Sequence, residues 1–136
     1  MAGELQGKKI LLVDDDQDIL AALKGALADM SPQIETASDG NTAIERNEVF
    51  KPDLVVLDMM LPKRSGFLVL EQIKKGKKRT DPPRVIMITG NQGARHKSYA
   101  EGLGADVYLN KPFRMERFLE SLRKIFGIAT PGDVKE

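Results

Sequence analysis

A doubly wound α/β domain, five strand–helix units around one open parallel sheet, is the fold this sequence predicts. Three observations carry the prediction. Apolar runs without polar alternation recur at Lys9–Val13, Asp53–Leu57 and Val85–Ile88, as in strands buried on both faces. Stretches between them place apolar residues at helical spacing. The chain has 136 residues, enough for one domain and too few for a closed eight-stranded barrel.

The elements follow in order. The first run stops abruptly at Asp14-Asp15-Asp16. Ile19, Leu20, Leu23 and Leu27 then mark one face of a helix that Ser31-Pro32 breaks. Gln33–Ala37 reads as a short second strand, and Asp39-Gly40 turns the chain into a helix of roughly 41–48. Asp53–Leu57 is the third strand, ending in Asp58. After Leu61-Pro62-Lys63-Arg64-Ser65-Gly66, the residues Phe67, Leu70 and Ile73 mark a helix capped by Ser65. Residues 76–83 form a polar, basic loop. Val85–Ile88 is the fourth strand, ending at Thr89-Gly90-Asn91, and 97–103 a short helix closed by glycines. Val107–Leu109 is the fifth strand, ending at Asn110-Lys111-Pro112. The last helix carries a stripe of Met115, Phe118, Leu119, Leu122, Ile125 and Phe126 and stops at Gly127. Residues 1–7 read as an N-terminal tail, 8–127 as the domain, and 128–136 as a C-terminal tail or linker stub. Alternating strands and helices require right-handed crossovers, and five strands favour the flavodoxin-like order 2-1-3-4-5.

Composition narrows the chemistry. There is no cysteine, which excludes a disulfide scaffold, a thiolate zinc site and a cysteine nucleophile. A single histidine, His96, argues against a multi-histidine metal centre or a Ser-His-Asp triad. No apolar run approaches the ~20 residues of a membrane span, and no signal-peptide core opens the chain, so a cytoplasmic protein without membrane contact is expected. The net charge of +1 hides an acidic first half: residues 1–62 hold 12 acids against 5 bases, and residues 63–84 hold 8 bases against 2 acids. The basic stretch from Lys74 to Arg79 lacks interleaved aromatics or a recognition helix; it reads as a solvated helix end, and no nucleic-acid contact is expected. A P-loop is absent, because the first strand leads into aspartates where glycines would stand.

In an open parallel sheet, ligands bind outside the carboxyl ends of the strands, where the strand order reverses. Asp14 and Asp15 end one of the strands at that point and Asp58 the other, with Thr89 and Lys111 delivered to the same edge. Carboxylates ~4 Å apart repel by about 4 kcal/mol at an effective dielectric of 20, so their clustering calls for a cation. An all-oxygen cluster suits Mg²⁺, which leaves positions open for phosphate oxygens; an ammonium and a hydroxyl complete a phosphoryl-transfer site.

The set Ile10-Leu11-Leu12-Val13-Asp14-Asp15, Asp58-Met59-Met60-Leu61-Pro62 with Gly66, Thr89-Gly90 and Lys111-Pro112-Phe113 resembles the CheY-like response-regulator receiver domains of two-component signalling, over about residues 8–126. The resemblance implies that Asp58 accepts a phosphoryl group from a phosphohistidine of a sensor histidine kinase or histidine phosphotransfer protein, with self-catalysed transfer and dephosphorylation. Asp15 and Asp58 would bind Mg²⁺ (or Mn²⁺) directly, Asp14 through water, and Met60 by its main-chain carbonyl. Lys111, joined to Pro112 by a cis bond, would pair with the phosphoryl oxygens. Thr89 and Tyr108 would be the switch pair, acting on a face of the fourth helix, fifth strand and fifth helix that meets a downstream effector or a second, phosphorylated copy through Arg114, Glu116 and Arg117. Met60 and Asn91 flank the path of the hydrolytic water. Met60 hydrogen-bonds water poorly, so a long-lived phosphorylated state is expected.

Blander readings accompany these. Asp16 and Asp18 serve a helix N-terminus, His96 is a solvated helix residue, and Phe113 and Met115 belong to the core. Tyr108 is expected at an exposed sheet edge with a mobile polar tip. A degenerate receiver, acting by binding alone, is the alternative class, and such domains usually lack an acid, the threonine or the lysine that this chain keeps. A magnesium-dependent phosphatase would need a D-x-D pair beside its nucleophile, and Asp58 is followed by Met59 and Met60.

Overall fold

A computed structural model describes residues 3–90 and 94–128. The elements are β1 (Lys9–Val13), α1 (Gln17–Leu27), a 3₁₀ turn (Ala28–Met30), β2 (Gln33–Ala37), α2 (Gly40–Phe50), β3 (Leu54–Asp58), α3 (Gly66–Lys74), β4 (Arg84–Thr89), α4 (Ala94–Gly102), β5 (Val107–Asn110) and α5 (Met115–Phe126). The strands make one parallel sheet in the order β2-β1-β3-β4-β5, as the alternation predicts.

Strand periodicity divides the apolar runs between two cores. Leu11, Val13, Val55, Leu57 and Met87 pack with Val69, Leu70, Ile73 and Ala100 on the side of α2, α3 and α4. Ile10, Leu12, Leu54, Val56, Ile86 and Ile88 pack with Leu20, Leu23, Leu27, Phe118 and Leu122 on the side of α1 and α5. Because both faces are covered, the central strands could carry no polar alternation. Helix starts are set by oxygen acceptors: Asp16 accepts from the Asp18 and Ile19 amides, Asp39 from Thr42, and Ser65 from Leu68. Ser31 (φ +62) ends the 3₁₀ turn, and Gly127 (φ +68) ends α5.

Four expectations require correction. The segment before β1 is docked: Leu5 is fully buried, its amide donates to Met30 O at 2.8 Å, and the Gly3 amide donates to Asp29 O at 3.0 Å. A single leucine between flexible glycines was too sparse a pattern to reveal that contact. At the other end, Ile128 packs on the α1–α5 core.

Lys74 is not solvated. It is 4% exposed, and its ammonium donates to the carbonyls of Arg79, Asp81 and Pro83 at 3.1, 2.7 and 3.0 Å. Burial lowers its pKa, an effect that Asp106 and Asp81 partly oppose. His96 stacks on Phe67, with ring centroids 5.8 Å apart, where a fully solvated side chain was expected. Its helix begins at Ala94, three residues earlier than the apolar spacing indicated. Tyr108 is buried, 8% exposed, with no free edge for its hydroxyl.

Candidate functional site

The carboxyl ends of β1 and β3 meet where the strand order reverses. Asp14 makes the last link of β1 to β2, its amide donating to Ala37 O at 3.1 Å, while its Oδ1 accepts from the Asp16 amide at 2.9 Å and opens the turn into α1. Asp58 is the last residue of β3, and its Oδ1 accepts from the Met60 amide at 3.1 Å. Gly66 has to be glycine here. A Cβ there would lie 2.3 Å from Asp58 O and 2.6 Å from Met59 Cα, so the start of α3 rests directly on the acidic residue's backbone.

Asp14, Asp15 and Asp58 each offer an oxygen, and these oxygens lie within 4.8 Å of one another. Asp14 and Asp58 are buried; Asp15 is exposed. From β5, Lys111 brings its ammonium to 3.2 Å from Asp14 Oδ2 and 3.6 Å from Asp58 Oδ2. Its approach is fixed by main chain, since the Lys111 amide donates to Thr89 O at 2.7 Å. The Lys111–Pro112 bond is cis, as the resemblance implies.

The electrostatics favour a further cation. Burial, reinforced by repulsion from Asp14, pushes the Asp58 carboxyl up to about 6, against the Met60 amide and Lys111, which favour the charged form. For Lys111 burial acts downward, but the Asp58 and Asp14 carboxylates outweigh it and hold the ammonium above its usual value. One ammonium among three carboxylates leaves the cluster under-neutralised. Its donors are all carboxylate oxygens, with no sulfur or imidazole, which fits a hard divalent ion such as Mg²⁺.

Thr89 is fully buried at the end of β4. Its side chain is hydrogen-bonded with the Tyr108 phenol, which also donates to Met59 Sδ at 3.9 Å. Burial raises the phenol pKa, partly offset by the Thr89 bond. Tyr108 therefore already sits inward, linking β5 to β4 and to the residue after Asp58. The Met60 side chain points outward, 65% exposed, and Asn91 lies outside the described residues. Sequence reading missed the Arg64–Asn41 contact, Nε to Oδ1 3.0 Å, because a bond between a loop and the first turn of α2 leaves no periodic trace.

Comparisons with known proteins agree with this geometry. The family model described as response regulator receiver domain matches residues 10–123. The alkaline phosphatase synthesis transcriptional regulatory protein PhoP of Bacillus subtilis is 41% identical over 106 residues, covering 78% of this chain and 43% of PhoP. The chain thus spans about half the length of the curated relatives it matches. A CheY-like receiver domain protein of Methanospirillum hungatei superposes with a TM-score of 0.77 at 30% identity, covering 88% of this chain and 94% of that one. The BeF₃-activated DrrB receiver domain does so at 0.76 and 30%, covering 88% and 97%. No helix among the described residues is long and apolar enough to cross a membrane. With its parallel sheet, its acidic cluster at the switch point and a family match over most of its length, the chain belongs to the response-regulator receiver domains, the signalling switches of two-component systems.

Proposed function

We propose that Asp58 is a phosphoacceptor and that the donor is a phosphohistidine on a sensor histidine kinase or a histidine phosphotransfer protein. The supporting observation is the convergence of three carboxylates and one ammonium at the switch point. An Asp58 carboxylate oxygen attacks phosphorus; the P–O bond forms as the P–N bond breaks, and the bonding pair returns to the imidazole nitrogen. Asp15 and Asp58, Asp14 through water and the Met60 carbonyl are the groups that would hold Mg²⁺ or Mn²⁺. A bound divalent ion supplies neutralisation between the carboxylates and the incoming phosphoryl oxygens. Lys111 orients one phosphoryl oxygen by a charge-assisted hydrogen bond, and the Thr89 hydroxyl donates to another.

The donor has a landing surface beside the acceptor. An apolar groove of about 390 Å³, lined by Ile19, Ala22, Leu23, Pro112, Phe113 and Met115, opens next to Lys111. The output runs the other way. Recruiting the Thr89 hydroxyl to a phosphoryl group disturbs its bond with Tyr108, and β5 carries that change to a face of α4, β5 and α5. There Tyr99 is half-exposed, and Arg114, Glu116 and Arg117 are exposed for an effector or a second copy. The site of action that fits this role is the cytoplasm, where kinases of this class present their phosphohistidine.

The test is intact-mass detection of an acyl phosphate after incubation with Mg²⁺ and acetyl phosphate, beside an Asp58→Asn control and a beryllofluoride titration. An adduct that needs Mg²⁺ and is absent from the control is expected. Absence of both adduct and beryllofluoride binding would reduce the domain to a phosphorylation-independent binding module.

A further inference from the structure

Met60, whose carbonyl the reading above makes a metal ligand, lies in the loop that joins β3 to α3. The roots of this loop are secured by main chain: the Met59 amide donates to Ile88 O at 2.8 Å, and the Gly66 amide to Met59 O at 2.8 Å. Leu61 packs into the core beneath α2 and α3. The apex from Pro62 to Arg64 is exposed. There the Arg64 amide donates to Pro62 O at 2.7 Å across Lys63, which adopts a left-handed φ of +69. A solvent-facing turn of this kind needs outside support to keep one conformation.

The support comes from the first turn of α2 and its cap, Asp39. The Gly40 amide donates to Pro62 O at 3.3 Å, and Arg64 Nε donates to Asn41 Oδ1 at 3.0 Å. The Lys63 ammonium stands 3.9 Å from Asp39 Oδ2. A Cβ at Gly40 would meet Arg64 O at 2.2 Å, so the two backbones touch. Among the described residues, the hydrogen bonds that reach the apex from outside its loop come from this turn. The turn is itself rigid, because Asp39 caps α2 by accepting from the Thr42 amide at 2.8 Å.

We propose that Asn41 and Arg64 are positioning residues for the metal site, holding the loop so that the Met60 carbonyl faces the carboxylates. The proposal rests on the reading of Met60 as a main-chain ligand. A carbonyl cannot be re-aimed by a rotamer; its direction follows from the dihedrals of the loop, which this clasp restrains from the far side. Neither residue touches the metal in this scheme.

The experiment is calorimetric titration of Mg²⁺ into the wild type, Asn41→Ala, Arg64→Ala and the double variant, with thermal unfolding in chelator alongside. Each single variant is expected to raise the Mg²⁺ Kd about 3- to 10-fold, below the range for a partner that touches a ligand directly. The double variant should be no worse than the worse single, since both remove one bond. Unfolding temperatures should stay within about 2 °C, because both side chains are exposed. The sign is diagnostic: deleting a cation beside an acidic cluster would by Coulomb's law alone tighten Mg²⁺ binding. An unchanged Kd in Asn41→Ala, or tighter binding in Arg64→Ala, overturns the clasp while leaving the acceptor site standing. A wild type that binds no Mg²⁺ overturns the acceptor reading, and the clasp with it.

Discussion

Lys111 Nζ stands 3.2 Å from Asp14 Oδ2, joining residues 97 positions apart in the chain. The same ammonium reaches Asp58, so one cation serves two buried carboxylates. Removing it leaves both without their shared partner. Lys111→Met is therefore expected to lose about 1–3 kcal/mol of stability in chelator, less than a fully buried pair would because Lys111 is partly exposed. Saturating Mg²⁺ should restore more stability to the variant than it adds to the wild type. Thermal unfolding with and without Mg²⁺ tests this, and equal Mg²⁺ increments in the two proteins would refute the shared-partner account.

The raised pKa of Asp58 has a pH signature. Its folded value, about 6, lies above the ordinary 3.8, so the folded state binds the proton more tightly than the unfolded chain does. Stability from this group is present below the unfolded pKa and is lost as pH rises towards the folded one. Asp58→Asn keeps an acceptor for the Met60 amide and removes the titration. Its stability advantage over wild type should grow between about pH 4 and pH 6, towards a ceiling of about 3 kcal/mol above that window. Chemical denaturation across pH in chelator measures it. An advantage that did not grow with pH would show that Asp58 carries no such penalty.

The fold and the acidic cluster were legible for one physical reason. In a buried parallel sheet an apolar run can end only where the strand leaves the core, so the residues after Val13, after Leu57 and at the end of Val85–Ile88 mark the sheet's functional edge. Asp14, Asp15, Asp58 and Lys111 meet there because topology carries them. Tyr108 was misplaced because strand position gives no indication of which neighbours cover an edge strand; Met59 and Thr89 do so here. Lys74 was misread because its run of bases looks uniform, while the one on the last turn of α3 is buried against three loop carbonyls and the others, Lys77 on Pro82 O included, stay exposed. Leu5 and the Arg64–Asn41 bond are single tertiary contacts without periodicity.

Met60 stands two residues after Asp58 with its side chain turned outward. A thioether accepts hydrogen bonds weakly and cannot orient water near the acyl phosphate. Met60→Asn supplies both a donor and an acceptor at that place. The phosphorylated protein should then decay about 3- to 10-fold faster, the worth of one hydrogen bond in the transition state. Intact-mass decay after removal of acetyl phosphate gives the rate. An unchanged lifetime would remove Met60 from any role in protecting the acyl phosphate.

Lys74 provides a stability test remote from the acceptor. Its ammonium satisfies three carbonyls of the loop before β4, and its stem lies against Gly104, where a Cβ would come within 3.2 Å of Lys74 Cε. Lys74→Met keeps the stem and deletes the donor, leaving carbonyls without their partner; Gly104→Ala keeps the donor and crowds the stem at a φ of +110. Lys74→Met is expected to cost about 2–4 kcal/mol, since each orphaned carbonyl that water cannot reach is penalised by about 1–3 kcal/mol and part of the loop can relax outward. Gly104→Ala should cost about 1–3 kcal/mol through backbone strain. The Mg²⁺ Kd should hold in both, because this network lies at the opposite end of β4 from Thr89. Loss of Mg²⁺ binding in a Lys74→Met protein that remains folded would mean instead that the α3–β4 loop communicates with the acceptor edge through the sheet.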